Sequence, residues 1–561
     1  MEDLRSVLYI AALSNAVKHH SVPAAGAVMG AVLGRHPDLR SHAGEIKEVL
    51  KTVLQDVSEM SAEERESRLL ELAPDEYAGL SEKKEKKKSG LPDLPGAEGG
   101  VVMRFAPNPS GPLHLGHARA AFLNDVYVRR YGGKYILRIE DTDPKRVDPE
   151  AYDMVREDIG WMGLSISDTV FQSDRFSIYY KIGRELISKG AAYVCRCDNE
   201  VFRDLKLHKK ACPCRSQSPE EAMDLFEQML DGEFAEGEAG VRLRSSLDHP
   251  DPAMRDFPIF RILTSTPHER VDAIVYPLMN LSVAADDHLL GMTHVIRGKD
   301  HIANTRRQEY IFRYMGWKIP EYRHYGRMGI EGVVLSTSQM RAGILSGEYT
   351  GWDDVRLGTL RAMARRGIEP EAVRNAVIDI GTGDTDIQFS WENLYAKNKD
   401  IIDKTADRYF FVPDPVLVDI TGSKPVIAKA MRHPGDESKG FRELPFIGSV
   451  FIPGSDIQDG TDFIRLKDLF NIRIIRQNGI ISGEYAGDDL QEARNRKAPI
   501  VQWLAKEHAN RCVLRYPEGE VSGLCEPESI SKVGRVVQFE RVGFTRIDSI
   551  GNPAVAFFAH R

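Results

Sequence analysis

Long apolar runs are missing. Nowhere in the 561 residues does one approach the roughly 18 that a membrane-spanning helix requires. Met1-Glu2-Asp3 does not open a signal peptide, so the expectation is a cytoplasmic chain that makes no membrane contact. Cysteine is scarce, with six in the whole chain, which argues against a disulfide-stapled secreted scaffold and suits a reducing compartment. Net positive charge is absent as well. The formal charge of −8 gives no compositional argument for a nucleic-acid partner, although a large protein can still carry a local basic groove. Neither G-x-G-x-x-G nor the P-loop pattern occurs, which excludes the two commonest glycine-rich phosphate cradles. With 42% hydrophobic and 28% charged residues, the remainder reads as a protein of several globular domains.

One stretch organises the chain: Arg104-Phe105-Ala106-Pro107-Asn108-Pro109-Ser110-Gly111-Pro112-Leu113-His114-Leu115-Gly116-His117. Val101, Val102 and Met103 before it read as a buried strand. Ala118, Ala121, Phe122, Leu123 and Val126 after it recur at helical spacing. A Pro/Gly-rich loop between a buried strand and a helix N-terminus is where an open α/β sheet binds phosphate, because free N–H groups and the helix dipole both favour an anion. His114 and His117, three apart, are expected on one face of a helical first turn, donating to the same phosphate oxygens. Gly116 leaves room for a flat ring against the backbone.

These residues resemble the HIGH motif of the class I aminoacyl-tRNA synthetases, and RFAPNPSGPLHLGHARAA is similar to the glutamyl/glutaminyl branch, most of all to archaeal-type glutamyl enzymes. The resemblance runs from about Val101 to the C-terminus. It implies an α/β fold: a Rossmann-type class I catalytic domain interrupted by an acceptor-binding insert, then helical domains and two C-terminal antiparallel β-barrels that read the anticodon.

In chain order, residues 1–80 read as a helical domain, from Leu4, Val7, Leu8, Ala11 and Ala12 and again from Ile46, Val49, Leu50, Val53 and Leu54. SEKKEKKK at 81–88 followed by LPDLPGAEGG reads as a solvated linker spanning 81–100. The first half of the catalytic domain is expected at 101–194, the insert at 195–277 and the second half at 278–330. The loop and helical tRNA-contact region follow at 331–405, and the barrels at 406–561.

A second strand, Tyr135–Ile139, runs into Glu140-Asp141-Thr142-Asp143. Arg104 and Glu140 both lie at carboxyl ends of strands, where an arginine takes a carboxylate and an acid takes an ammonium; the matching family residues bind the amino acid. Arg297 matches the arginine that glutamyl enzymes use for the side-chain carboxylate. Its planar fork suits a carboxylate and leaves donors unpaired against an amide. Aligned on Asp286-Asp287-His288, Met279 stands where the family usually has a pocket tyrosine, and Val283 replaces a polar pocket residue. Val334–Arg341 occupies the place of the KMSKS loop, but Thr337 and Gln339 replace its lysines and Arg341 is the nearest cation. The resemblance implies ATP contacts from Pro107, His114, Gly116, His117, Ser336, Thr337, Gln339 and Arg341, with His114 and His117 catalytic.

Cys195-Arg196-Cys197 and Cys212-Pro213-Cys214, fourteen residues apart, are either free thiols or four thiolates spaced for one structural zinc. Arg361, Arg365 and Arg366 are either tRNA-phosphate contacts or a solvated helix face. The short β-prone runs Val426–Ala428, Val450–Ile452, Ile472–Ile475 and Val536–Phe539 supply the barrels.

The implied activity is ATP- and Mg²⁺-dependent ligation of glutamate to tRNA-Glu, and also to tRNA-Gln, by a monomer. The rivals are a glutaminyl enzyme, disfavoured by Arg297, a non-synthetase nucleotidylyltransferase with an HxGH loop, and a catalytically weak tRNA-binding paralogue, which the missing lysines make conceivable.

Overall fold

The computed structural model describes residues 2–19, 22–35, 43–74, 76–77 and 90–561, and forms two compact units, Met1–Gly90 and Leu91–Arg561. The charged run 81–88 lies outside the described residues. In the first unit the helices Glu2–His19, Ala25–Arg35, Ala43–Glu59 and Ala62–Leu72 bury Leu8, Leu13, Val28, Ile46, Val53 and Leu69 against one another. A reciprocal Ser61–Glu64 capping box starts the fourth helix.

The second unit begins with a departure from the expected linker. Residues 91–100 are anchored at three points, with Leu91, Leu94 and Ala97 buried in the core of the second unit and the residues between them exposed, and the His294 imidazole bonds to the Pro95 carbonyl at 2.8 Å. Apolar side chains between the prolines give this segment a face to bury, which the charged run lacks.

The central parallel sheet has β1 (Val101–Phe105), β2 (Gly133–Ile139) and β3 (Asp168–Phe171) paired in parallel, and β4 (His294–Gly298) parallel to β5 (Glu321–Tyr325). Thr293 N–H donates to the Val102 carbonyl at 3.0 Å and Thr293 Oγ1 accepts from Val102 N–H at 2.9 Å, joining the two sets in the order β3-β2-β1-β4-β5. The winding reverses between β1 and β4, and ligands of such sheets sit beyond the strand ends at that point.

Between β3 and β4 a four-stranded antiparallel sheet forms from Ala192–Cys195, Gly240–Leu243, Pro258–Ile262 and Val275–Pro277. The insert therefore starts three residues before the cysteine expected to open it. Beyond β5 come the helices Thr337–Leu345, Leu360–Arg366, Pro370–Ile380 and Trp391–Ile402.

The C-terminal region holds two seven-stranded sheets. One runs Arg408–Tyr409, Val536–Phe539, Gly543–Ser549, Ala554–His560, Asn510–Tyr516, Gly519–Cys525, Phe411–Pro413. Its edge strands are separated in the chain by Phe410 alone, so the sheet must curl until its edges meet. The other runs from Ile500–Val501 to Leu504–Ala505 through strands 463–466, 471–477, 480–485, 415–421 and 449–453, and closes in the same way across Gln502 and Trp503. The expectation of purely antiparallel barrels is corrected here, because each sheet contains two parallel pairings, such as 510–516 with 554–560 and 415–421 with 480–485. Long crossovers between non-consecutive strands produce them. Among the described residues no helix is long and apolar enough to cross a membrane.

Candidate active site

The loop after β1 is tied to the one after β2. Glu140 N–H donates to the Pro107 carbonyl at 3.0 Å and Asn108 Nδ2 donates to the Glu140 carbonyl at 2.8 Å. Asp158, whose carboxyl is raised to about 6 by burial, accepts from Leu113 N–H at 2.7 Å and fixes the loop's exit. The helix Leu115–Tyr131 then starts with His114 as its N-cap, in an extended conformation. The two histidines therefore do not share a helical turn as expected. His114 Nδ1 accepts from Gly116 N–H at 3.1 Å and His117 Nδ1 accepts from His114 N–H at 3.3 Å, which stacks the rings with centroids 3.8 Å apart. The ring over Gly116 is that of His114, and a Cβ at 116 would sit 2.8 Å from its Cε1.

This geometry settles the tautomers. An Nδ1 that accepts a backbone N–H carries no proton, so each neutral ring keeps its proton on Nε2 as a donor. Burial lowers the His114 pKa to about 4 and holds that of His117 well below its ordinary value, with His114 adding to the second shift. Near neutral pH the pair therefore offers two uncharged N–H donors.

His117 lines a cavity of about 230 Å³ together with Arg104, Pro107, Gly116, Glu140, Met279, Val283 and Arg297, so residues expected at the nucleotide and amino-acid subsites share one space. Glu140 Oε1 accepts from Arg138 at 2.9 Å, Arg138 donates to the fully buried Asp287 at 2.6 Å, and Arg104 Nε lies 3.5 Å from the same Asp287 oxygen. The three cations hold the Asp287 carboxyl below its usual range against the burial that would raise it. Arg297 stands over the Tyr322 ring at 5.0 Å; burial first, then Arg104, lowers its pKa to about 10. Arg104 Nε and Arg297 Nε have no hydrogen-bond partner among the described residues. Among the groups in direct contact, the guanidiniums of Arg104, Arg138 and Arg297 face the carboxylates of Glu140 and Asp287, an excess of one positive charge; Asp286, which also acts on Arg138, is paired with Arg175, and Asp300 lies beside His301. Burial lowers His301 and brings His324 to about 4, so the nearby imidazoles add none.

Ser336, Thr337, Gln339 and Arg341 do not line this cavity. Thr337 and Arg341 dock on its loop from outside, whereas Ser336 and Gln339 are exposed. Thr337 packs so closely on Gly111 that a Cβ there would meet its Cγ2 at 2.6 Å, and Arg341 donates to the Ser110 carbonyl at 2.8 Å while pairing with Asp148. In the insert, the sulfurs of Cys195, Cys197, Cys212 and Cys214 all lie within 4.8 Å of one another, and one pair is 3.7 Å apart. Four Zn–S bonds of about 2.3 Å at tetrahedral angles give edges of about 3.8 Å, so the cluster fits zinc.

The family model for the catalytic domain of class I tRNA synthetases (E and Q) matches residues 100–404, and the model for their anti-codon binding domain matches 406–486. The chain belongs to the class I glutamyl- and glutaminyl-tRNA synthetases. Among its relatives are a glutamate--tRNA ligase of Methanospirillum hungatei, 77% identical over 100% of both chains, and one of Methanocorpusculum labreanum, 60% identical over 100% of this chain and 99% of that one. A third, from Methanocaldococcus jannaschii, is 48% identical over 98% of this chain and 99% of the relative.

Within this synthetase, Arg366 is buried, while Arg361 and Arg365 are partly exposed and already paired with acids. Arg361 pairs with Glu157 at 2.6 Å, Arg365 bridges Asp353 and Asp548 at 3.1 and 3.0 Å, and buried Arg366 donates to the Ala559 carbonyl at 2.9 Å. They tie the helix Leu360–Arg366 to Glu157 and Asp353 on one side and to the strands Gly543–Ser549 and Ala554–His560 on the other. Sequence reasoning missed Arg138, the Asp287 counter-ion, and Thr305 and Gln308 beneath Arg297. The detectable signal was Arg138, a charge in the otherwise apolar strand Tyr135–Ile139.

Proposed function

We propose that this synthetase is a glutamate--tRNA ligase. The observation that carries the reading is the charge of its amino-acid pocket. Glutamate brings two carboxylates and one ammonium, a net charge of −1 that meets the cavity's single positive charge. Glutamine would leave that charge buried and unmatched. In this reading Arg104 takes the α-carboxylate, Glu140 the ammonium and Arg297 the side-chain carboxylate, while Met279 and Val283 give the aliphatic stem an apolar wall.

An α-carboxylate oxygen attacks the α-phosphorus of ATP. The bond to the β-phosphate breaks, leaving glutamyl-adenylate and pyrophosphate. A hydroxyl of the terminal tRNA ribose then attacks the acyl carbon and AMP departs. Mg²⁺ enters with ATP and offsets phosphate charge. The protein's own contribution is orientation and two Nε2–H donors, from His114 and His117, at the phosphates. ATP–pyrophosphate exchange in the presence of tRNA tests the reading: glutamate is expected to support exchange with a kcat/KM about a thousandfold above that for glutamine, and the reverse order would replace this reading with a glutaminyl one.

The four clustered cysteines are assigned one structural zinc, since four thiolates leave no open coordination position. Purified protein is expected to contain about one equivalent of zinc, with chelation lowering thermal stability. Metal-free protein of unchanged stability and activity would return the cluster to free thiols.

Both tRNA-Glu and tRNA-Gln are proposed as acceptors, because the barrel-type anticodon region is the kind shared with glutaminyl enzymes and the two anticodons differ at one base. A single-base choice can rest on one hydrogen bond, worth about 1–3 kcal/mol when its partner is left unsatisfied. Labelled glutamate is expected on purified tRNA-Gln with a kcat/KM within about a hundredfold of that for tRNA-Glu, or roughly 2.7 kcal/mol. A larger gap would mark a discriminating enzyme.

A further inference from the structure

Arg297 is held from behind by two uncharged side chains of the helix Ile302–Met315. Its Nη2 donates to Thr305 Oγ1 at 2.5 Å and to Gln308 Oε1 at 2.8 Å. An Nη2 carries two hydrogens, so both are used. Thr305 and Gln308 are three residues apart and share a helix face, with 5% and 0% exposure. The threonine oxygen is itself saturated. It donates to the His301 carbonyl at 3.2 Å and meets His324 Nε2 at 2.8 Å, so with its one proton spent it accepts from both Arg297 and His324. Tyr322 supports the guanidinium face. The plane of Arg297 is thus fixed with Nη1 left for the cavity.

We propose that Thr305 and Gln308 are the positioning residues that set substrate choice: as neutral acceptors they orient Arg297 without cancelling its charge, reserving that charge for the substrate's side-chain carboxylate. The inference rests on the glutamate-ligase reading above. Its physical core is the difference between an amide and a carboxylate at position 308. A carboxylate would orient Arg297 equally well but would neutralise it, and a second carboxylate from the substrate would then be repelled. An amide leaves the guanidinium charge without an internal counter-ion at that edge.

Gln308→Glu is nearly isosteric and tests this directly. The readout is the ratio of kcat/KM for glutamate to that for glutamine in tRNA-supported ATP–pyrophosphate exchange, with wild type alongside. The ratio is expected to fall about a hundredfold, chiefly through a higher KM for glutamate. Loss of fold or of general activity would lower both kcat/KM values together and leave the ratio unmoved. Thr305→Val is expected to lower the ratio about tenfold and Thr305→Ser, which keeps the hydroxyl, to restore it. If Gln308→Glu does not fold, this pair decides. A ratio within threefold of wild type in Gln308→Glu, or in Thr305→Val where only that folds, overturns the inference while the function stands. A wild type that activates neither amino acid overturns the reading and the inference with it.

Discussion

Arg297→Gln is expected to lower kcat/KM for glutamate by two to four orders of magnitude. The substitution removes the one cation of the pocket that carries no internal carboxylate partner: Arg104 and Arg138 both contact Asp287, whereas Arg297 is bonded only to Thr305 and Gln308. A substrate carboxylate brought into that buried space then has no counter-charge, and leaving a buried charge unpaired costs about 3–5 kcal/mol. Much of the loss should fall on KM, because the carboxylate is charged in the ground state as well as the transition state. Arg297→Lys keeps the charge but not the planar fork that bonds Thr305 and Gln308 through one nitrogen and turns the other to the cavity, and is expected to fall between the two. Steady-state ATP–pyrophosphate exchange with tRNA present measures both variants. Unchanged glutamate kinetics in Arg297→Gln would place the side-chain carboxylate elsewhere.

His117→Ala is expected to slow adenylate formation by about 10²–10³-fold, the usual effect of deleting one donor aimed at transition-state charge. His117 lines the cavity, and its Nδ1 is occupied by the His114 N–H, so its Nε2–H is the donor on offer. His114 has a second duty, since its Nδ1 caps the helix Leu115–Tyr131 through Gly116 N–H. His114→Ala should therefore lose stability as well as rate, with a cap worth about 0.5–2 kcal/mol. His114→Asn supplies a good cap acceptor without an Nε2–H, and is expected to recover stability but not rate. Single-turnover activation and thermal melts on the three variants separate the two duties. Wild-type activation rates in both His117→Ala and His114→Ala would remove the histidines from the phosphate chemistry.

What the sequence disclosed was the part of the site carried by local pattern. Strand, Pro/Gly loop and helix start are consecutive, so Arg104, Gly116, His114 and His117 could be read from spacing alone. The Cys pairs were likewise visible as a donor set, although only the fold brings their sulfurs within 4.8 Å. Asp287 could not be read as the shared counter-ion of Arg104 and Arg138, because 183 and 149 residues separate the partners and sheet closure alone brings them together. Thr305 and Gln308 carry no signal as ordinary polar residues on a helix; their role depends on the guanidinium placed beside them by β4. For the helix arginines the sequence left two readings open. Arg361, Arg365 and Arg366 are spaced like a phosphate-binding face, but each meets an acid or a carbonyl from a distant element. Barrel closure escaped detection because it rests on edge strands of two or three residues, too short to leave a period.

The central claim is that the cavity's single positive charge selects glutamate for attachment to tRNA. Aminoacylation of tRNA-Glu by the purified protein, with ATP, Mg²⁺ and labelled glutamate or labelled glutamine in parallel, tests it most directly. The account predicts acid-precipitable glutamyl-tRNA and kcat/KM for glutamine at least about a thousandfold lower, as expected where a buried charge is left unmatched. Glutaminyl-tRNA formed at a comparable rate would contradict it.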